Sequence, residues 1–110
     1  MPTKRLSSTN QMTEAQFQTA VLQLAKLRGY HLSYHTHDSR RSQPGFPDLV
    51  LINVSMDRAL FRELKTDTGK LRPQQDEWLE GMRKVGLNAD VWRPSDLASG
   101  RIDAEMRGVR

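Results

Sequence analysis

Residues 44–65 read PGFPDLVLINVSMDRALFRELK. FPDLVLINV is an apolar run with Val and Ile, RALFRELK carries Ala, Leu and Phe among its charges, and VSMD between them is turn material, so the stretch predicts two strands and a short connection. Pairing 48–53 with 58–63 around a four-residue loop at 54–57 sets Asn53 opposite Arg58, Val50 opposite Phe61 and Asp48 opposite Glu63. Opposed residues on one sheet face have Cβ atoms about 4.5–5.5 Å apart, and like charges there repel. Lys65, two residues beyond Glu63, points to the same side. The hairpin thus gathers two acids and one base at one end of a buried element.

Working outward, Thr13-Glu14-Ala15-Gln16 has capping-box spacing, with Thr13 as N-cap. Phe17, Val21 and Leu24 follow at helical spacing, and Gly29 is a natural stop, giving a first helix over 13–28. YHLSYHTH at 30–37 alternates as a strand. Pro73 suits the first position of a second helix, with Gln74, Trp78, Met82 and Val85 on one face and Gly86 at its end. Leu87, Ala89 and Val91 alternate as a fourth strand. Pro94-Ser95-Asp96 opens at most a short helix. The expected architecture is α/β, with order αβββαβ and helices packed on a small sheet. Residues 1–12 read as a flexible lead-in, 13–100 as the domain, and 101–110, with Arg101, Arg107 and Arg110, as a basic tail.

The composition narrows the function classes. The chain has 110 residues, enough for one modest core, and a formal net charge of +4. Its pI near 9.9 favours polyanionic partners, nucleic acid first. No apolar run is long enough to span a bilayer, and MPTKRLSSTNQ lacks the apolar core of a secretory signal. There are no cysteines, which excludes disulfides and thiolate metal sites and fits a reducing compartment. The expected location is the cytoplasm, including that of a host cell if the protein is viral.

A divalent cation would resolve the repulsion between Asp48 and Glu63. Mg²⁺ takes oxygen ligands, commonly one or two carboxylates with water and phosphate, and the Leu64 backbone carbonyl could add another. Such an ion acidifies bound water and neutralises charge on a scissile phosphate. Lys65 beside it would orient the attacking water or stabilise the phosphorane.

Pro47-Asp48, fourteen residues, then Glu63-Leu64-Lys65 resembles the PD-(D/E)xK nuclease signature. With Glu14 and Phe17-Gln18, Gly45-Phe46-Pro47-Asp48-Leu49, Gly69-Lys70-Leu71 and Gln74-x-x-x-Trp78, the chain from about Glu14 to Pro94 resembles the VRR-NUC branch of that superfamily. The resemblance implies a restriction-endonuclease-like fold with a central mixed sheet flanked by helices, and a Mg²⁺- or Mn²⁺-dependent phosphodiesterase. By position it implies Asp48 and Glu63 as metal ligands and Lys65 as the catalytic lysine. Glu14 becomes the helix-one acid, holding a second metal or a metal water, and Gln74 the residue that helix two turns into the site.

Other residues are weighed around that frame. His35 and His37 share a strand face, but with no cysteine and no third clustered histidine they make a poor zinc site. Contact with DNA, or a place at the site's rim, is the expected use. Arg40 and Arg41 precede Asp48 in a loop, and Lys70 and Arg72 follow Lys65 in another, so four cations could clamp phosphates. The expected function is cleavage of branched DNA such as a Holliday junction. Two other functions stay open: a non-catalytic nucleic-acid-binding module, and a flap or single-strand nuclease subunit of a larger replication–repair complex. Paired cuts in a junction need two sites, hence an expected homodimer, with Tyr30, Tyr34, Leu97 and Ile102 as candidate contacts.

Overall fold

In the computed structural model, which describes residues 12–36 and 43–109, the hairpin forms in the expected register. Strands β2 (Leu49–Asn53) and β3 (Arg58–Leu64) run antiparallel with Asn53 opposite Arg58, Val50 opposite Phe61 and Leu49 opposite Arg62. Asp48 and Glu63 are the next residues along. The 54–57 turn closes through Asp57 at φ 56°, a left-handed conformation that aspartate tolerates. Buried Asn53 steadies the turn: its Oδ1 accepts the Met56 N–H at 3.1 Å and its Nδ2 donates to the Arg28 carbonyl at 3.0 Å.

Strand β1 (Leu32–His35) adds antiparallel to β2, and β4 (Asn88–Trp92) adds parallel to β3, giving a mixed four-stranded sheet ordered β1-β2-β3-β4. A parallel neighbour needs a crossover, which α2 (Pro73–Lys84) supplies. Helix α1 (Glu14–Leu27) starts with the predicted capping box: Thr13 Oγ1 accepts the Gln16 N–H at 3.1 Å, and the Thr13 N–H donates to Gln16 Oε1 at 3.0 Å.

The two sheet faces are covered by different helices. Phe17, Val21 and Ala25 of α1 pack with Leu49, Leu51, Leu60, Leu64 and Trp92. The buried stripe therefore runs at four-residue steps through Ala25; Leu24 is only partly buried and Leu27 is exposed. On the other face Leu79 and Met82 of α2 pack with Ala89, flanked by Phe61, Trp78 and Val91. Val85, expected on the inner face of that helix, is exposed where the helix ends.

The C-terminal segment departs most from the sequence reading. Residues 94–106 form two short helices, α3 (Pro94–Ala98) and α4 (Arg101–Met106), so the order is αβββαβαα. Ile102 and Met106 are fully buried in the α1-side core, and Arg101 is an ion-pair hub for Asp90, Asp96 and Glu105 rather than a free tail cation. Two apolar residues four apart make this short stretch a core helix despite its charge. Tyr30 and Ile102 are therefore not dimer contacts. Tyr30 is buried and its hydroxyl donates to the Met106 carbonyl at 2.7 Å. Arg62 is also buried, between Trp92 and Glu105, which it meets at 3.1 Å.

Candidate active site

The site lies at the end of the hairpin, on the α2 side of the sheet. Asp48 is fixed by its backbone and by its side chain. Its carbonyl accepts the Thr36 N–H at 3.1 Å, and its Oδ2 accepts the Leu64 N–H at 2.8 Å. Buried Pro47 precedes it, and Gly45 allows the approach. Gly45 has φ 93°, and a Cβ there would lie 2.5 Å from the Gln74 carbonyl oxygen, so only glycine lets this loop press on the first turn of α2.

Glu63 is almost completely buried. Its Oε2 accepts a hydrogen bond from Gln75 Nε2 at 2.9 Å and has Lys65 Nζ 3.9 Å away. Its Oε1 is buried and, with both carboxyls ionised, accepts no hydrogen bond. Burial is the main force holding its proton. The Asp48 charge and a carboxyl–carboxyl hydrogen bond with Asp48 add to it, and Lys65 opposes it; the Glu63 pKa is pushed up to about 8. The charge of Glu14, at the N-terminus of α1, raises it a little further.

The structure thus brings together Asp48, Glu63 and Lys65, with the Leu64 backbone between the first two, while Glu14 is exposed at the start of α1 and adds only its charge from a distance. Two glutamines of α2 reach the site. Gln74 is exposed and lines the cleft with Asp48, while Gln75 touches Glu63. Gln75 Oε1 also accepts the Arg72 N–H at 2.9 Å, so one amide caps α2 and holds a site carboxylate. Counting three from the N-cap Arg72, ahead of Pro73, finds Gln75; the spacing to Trp78 selects Gln74 instead.

Lys70 and Arg72 are exposed and make no ion pair among the described residues. Their loop is held by Arg93, whose Nη1 donates to the Thr66 and Gly69 carbonyls at 2.6 and 2.7 Å. The sequence gives no hint of that anchor. His35 pairs with Leu49 across the sheet, and its Nδ1 lies 3.4 Å from Gln18 Nε2 of α1, so it faces α1 rather than the α2 side where Glu63 lies. His37, Arg40 and Arg41 lie outside the described residues.

Among the described residues no three histidine or acidic side chains converge into a metal cage. Two facing carboxylates, one with an orphaned buried oxygen, instead suit an ion that keeps most of its shell as water and phosphate, as Mg²⁺ does.

The VRR-NUC domain profile matches residues 4–96. A solved structure described as a VRR_NUC domain protein is similar over 84% of this chain and 86% of its own, with a TM-score of 0.64 and 23% identity. At that identity the likeness shows the fold. The search of curated proteins found no match.

Proposed function

Because the chain belongs to the VRR-NUC domain family, a nuclease-type domain, we propose that it is a Mg²⁺- or Mn²⁺-dependent endonuclease that hydrolyses DNA, selecting branched forms such as four-way junctions. The observation that carries this reading is the facing pair Asp48 and Glu63, with Glu63 Oε1 buried and, once both carboxyls are ionised, unsatisfied. A buried acceptor left without a partner costs about 1–3 kcal/mol, and a ligand that supplies positive charge removes that penalty.

Asp48 and Glu63 would hold the cation, aided by the Leu64 carbonyl and, from a distance, the charge of Glu14. When bound, the ion would supply charge neutralisation and an acidified water. Lys65 Nζ, 3.9 Å from Glu63, would donate to a phosphoryl oxygen as negative charge develops there. Gln75 holds Glu63 in place. Lys70 and Arg72 offer cations to the DNA backbone, as Arg40, Arg41 and His37 would from the preceding loop. A two-fold pair would provide the matched cuts a junction requires, and exposed Leu32 and Tyr34 on edge strand β1 are the apolar surface best suited to a partner copy.

Incubation with labelled linear, flap and four-way DNAs, with and without Mg²⁺, tests this. Paired, Mg²⁺-dependent cuts in the four-way substrate are expected, lost in Asp48→Asn and Glu63→Gln. Lys65→Ala should slow turnover more than it weakens metal binding. Binding without cutting would leave a nucleic-acid module, and cutting only of flaps or single strands would point to the nuclease-subunit alternative.

A further inference from the structure

The cleft beside Asp48 does not end at Gln74. Pro44, Gln43 and Gln74 line it and also line a wider recess of about 740 Å³ that runs along α2 past Trp78. Such a volume is in the usual range for pockets that hold small organic groups, roughly 300–1,000 Å³. The two lobes differ in chemistry. The inner lobe has Asp48 and Arg72, groups that suit a cation and a phosphate. Among the described residues the outer lobe has no cation; its wall includes Trp78, Met82 and Pro44, with Gln74 and Glu77 as hydrogen-bonding groups. Gly81 leaves that wall open, since a Cβ there would meet nothing within 4 Å. The Trp78 ring is held edge-on by Phe46, at 5.3 Å between centroids and 81° between planes.

We infer that the outer lobe is a nucleobase site, which takes one unpaired base of the strand whose phosphate enters the inner lobe. This rests on the nuclease reading above and deepens it. A nucleotide is a charged phosphate tied to a flat, uncharged, hydrogen-bonding base; the inner lobe offers the Arg72 cation, and the outer lobe an aromatic wall with hydrogen-bonding groups. Trp78 supplies a stacking face, and base–aromatic stacking tolerates any base. Gln74 and Glu77 can meet the amide and amino edges that an unpaired base exposes. A base inside a duplex cannot reach the lobe without leaving its stack, at a cost of a few kcal/mol. The lobe therefore favours DNA with an unpaired or easily flipped nucleotide beside the bond to be cut. That is a physical route to structure selectivity in a small domain.

The test uses the full chain in EDTA, so that binding is read without cleavage. Fluorescein-labelled single-stranded oligothymidine and the same oligomer built of abasic sites are titrated in parallel. The abasic strand should bind about five- to a hundredfold more weakly, the range expected for losing one stacked base. Trp78 fluorescence should be quenched by the thymidine strand alone; Trp92 is fully buried, so its emission should be a constant background. Trp78→Phe should keep most of the discrimination and Trp78→Leu should lose it. Equal affinity for the two strands with wild-type protein overturns the inference even if a Trp78 variant misfolds. If branched DNA is cut normally while both strands bind alike, the nuclease reading stands and only the base site falls. If no oligonucleotide binds, the base site falls, and the nuclease reading is decided separately by cutting of four-way DNA in Mg²⁺. If Trp78→Leu instead dissociates a dimer in light scattering, the lobe belongs to a partner copy and the base site is overturned.

Discussion

Arg62 and Glu63 are neighbours in β3, both buried, and they do not pair. Alternation along the strand sends them to opposite faces of the sheet. Arg62 meets Glu105, the Asn88 side chain and the Trp92 ring on the α1 side. Glu63 meets Gln75, Lys65 and Asp48 on the α2 side. One face thus uses its buried charge to close the core. The other leaves a carboxylate short of positive charge.

That shortage gives stability a pH dependence in the absence of divalent cations. The folded-state pKa of Glu63, about 8, lies above its ordinary value of 4.5. The folded chain therefore binds more protons than the unfolded chain between those values, and stability falls as pH rises through that window. Each pH unit crossed inside the window removes about 1.4 kcal/mol, or roughly 4–8 °C of Tm in a domain of this size. Thermal melts in EDTA from pH 4.5 to 8.5 should fall steadily for the wild type and much less for Glu63→Gln. Parallel curves for the two proteins would show that Glu63 is ordinarily ionised.

Gln75, not Gln74, should be the sensitive position on α2. Gln75→Ala removes both the Arg72 N–H acceptor and the donor to Glu63. Loss of a helix cap alone costs about 0.5–2 kcal/mol. Urea titration should place Gln75→Ala that far below wild type, with slowed cleavage. Gln74→Ala, at an exposed residue, should keep wild-type stability. The reverse order would make Gln74 the site glutamine, as its spacing to Trp78 suggests.

Lys70 and Arg72 offer a separable electrostatic effect. A cation that touches one phosphate contributes about one unit to the log–log slope of DNA affinity against salt. Lys70→Ala and Arg72→Ala should each flatten the slope by that amount without altering the fold, since neither side chain is paired within the described residues. Wild-type slopes in both would make them ordinary loop charges.

The hairpin and its acids were legible because a two-residue period, a four-residue turn and opposed carboxylates are local features. Asn53–Arg58 and Val50–Phe61 follow from counting outward from the turn. Gln75 was readable in principle, from the N-cap and Pro73, but a competing helical spacing pointed elsewhere. The role of Arg93 was not readable, because its contacts to Thr66 and Gly69 span more than twenty residues. The last helix was misread for a related reason. Arg101, Glu105 and Arg107 make it look solvated, and only tertiary contacts reveal that Arg101 and Glu105 belong to a network and Ile102 to the core.

That misreading yields the sharpest stability prediction. Glu105 accepts from Arg62, Trp92 Nε1 and Arg101 at 3.1, 2.8 and 2.7 Å. Burial already pushes the Arg62 guanidinium below its ordinary range, with Glu105 its main counterweight. Removing one partner of a buried pair costs about 3–5 kcal/mol, because the other charge is left uncompensated. Glu105→Ala should lower the urea midpoint accordingly while sparing cleavage by the molecules that remain folded, since the network lies across the sheet from Asp48 and Glu63. Deleting residues 101–110 also strips Ile102 and Met106 from the core, at about 2–5 kcal/mol each. Those losses together match the whole stability of a typical domain, about 5–15 kcal/mol. The truncated chain should show no cooperative unfolding transition by circular dichroism. A truncated chain that melts cooperatively near the wild-type temperature would make residues 101–110 the dispensable tail that their charge suggests.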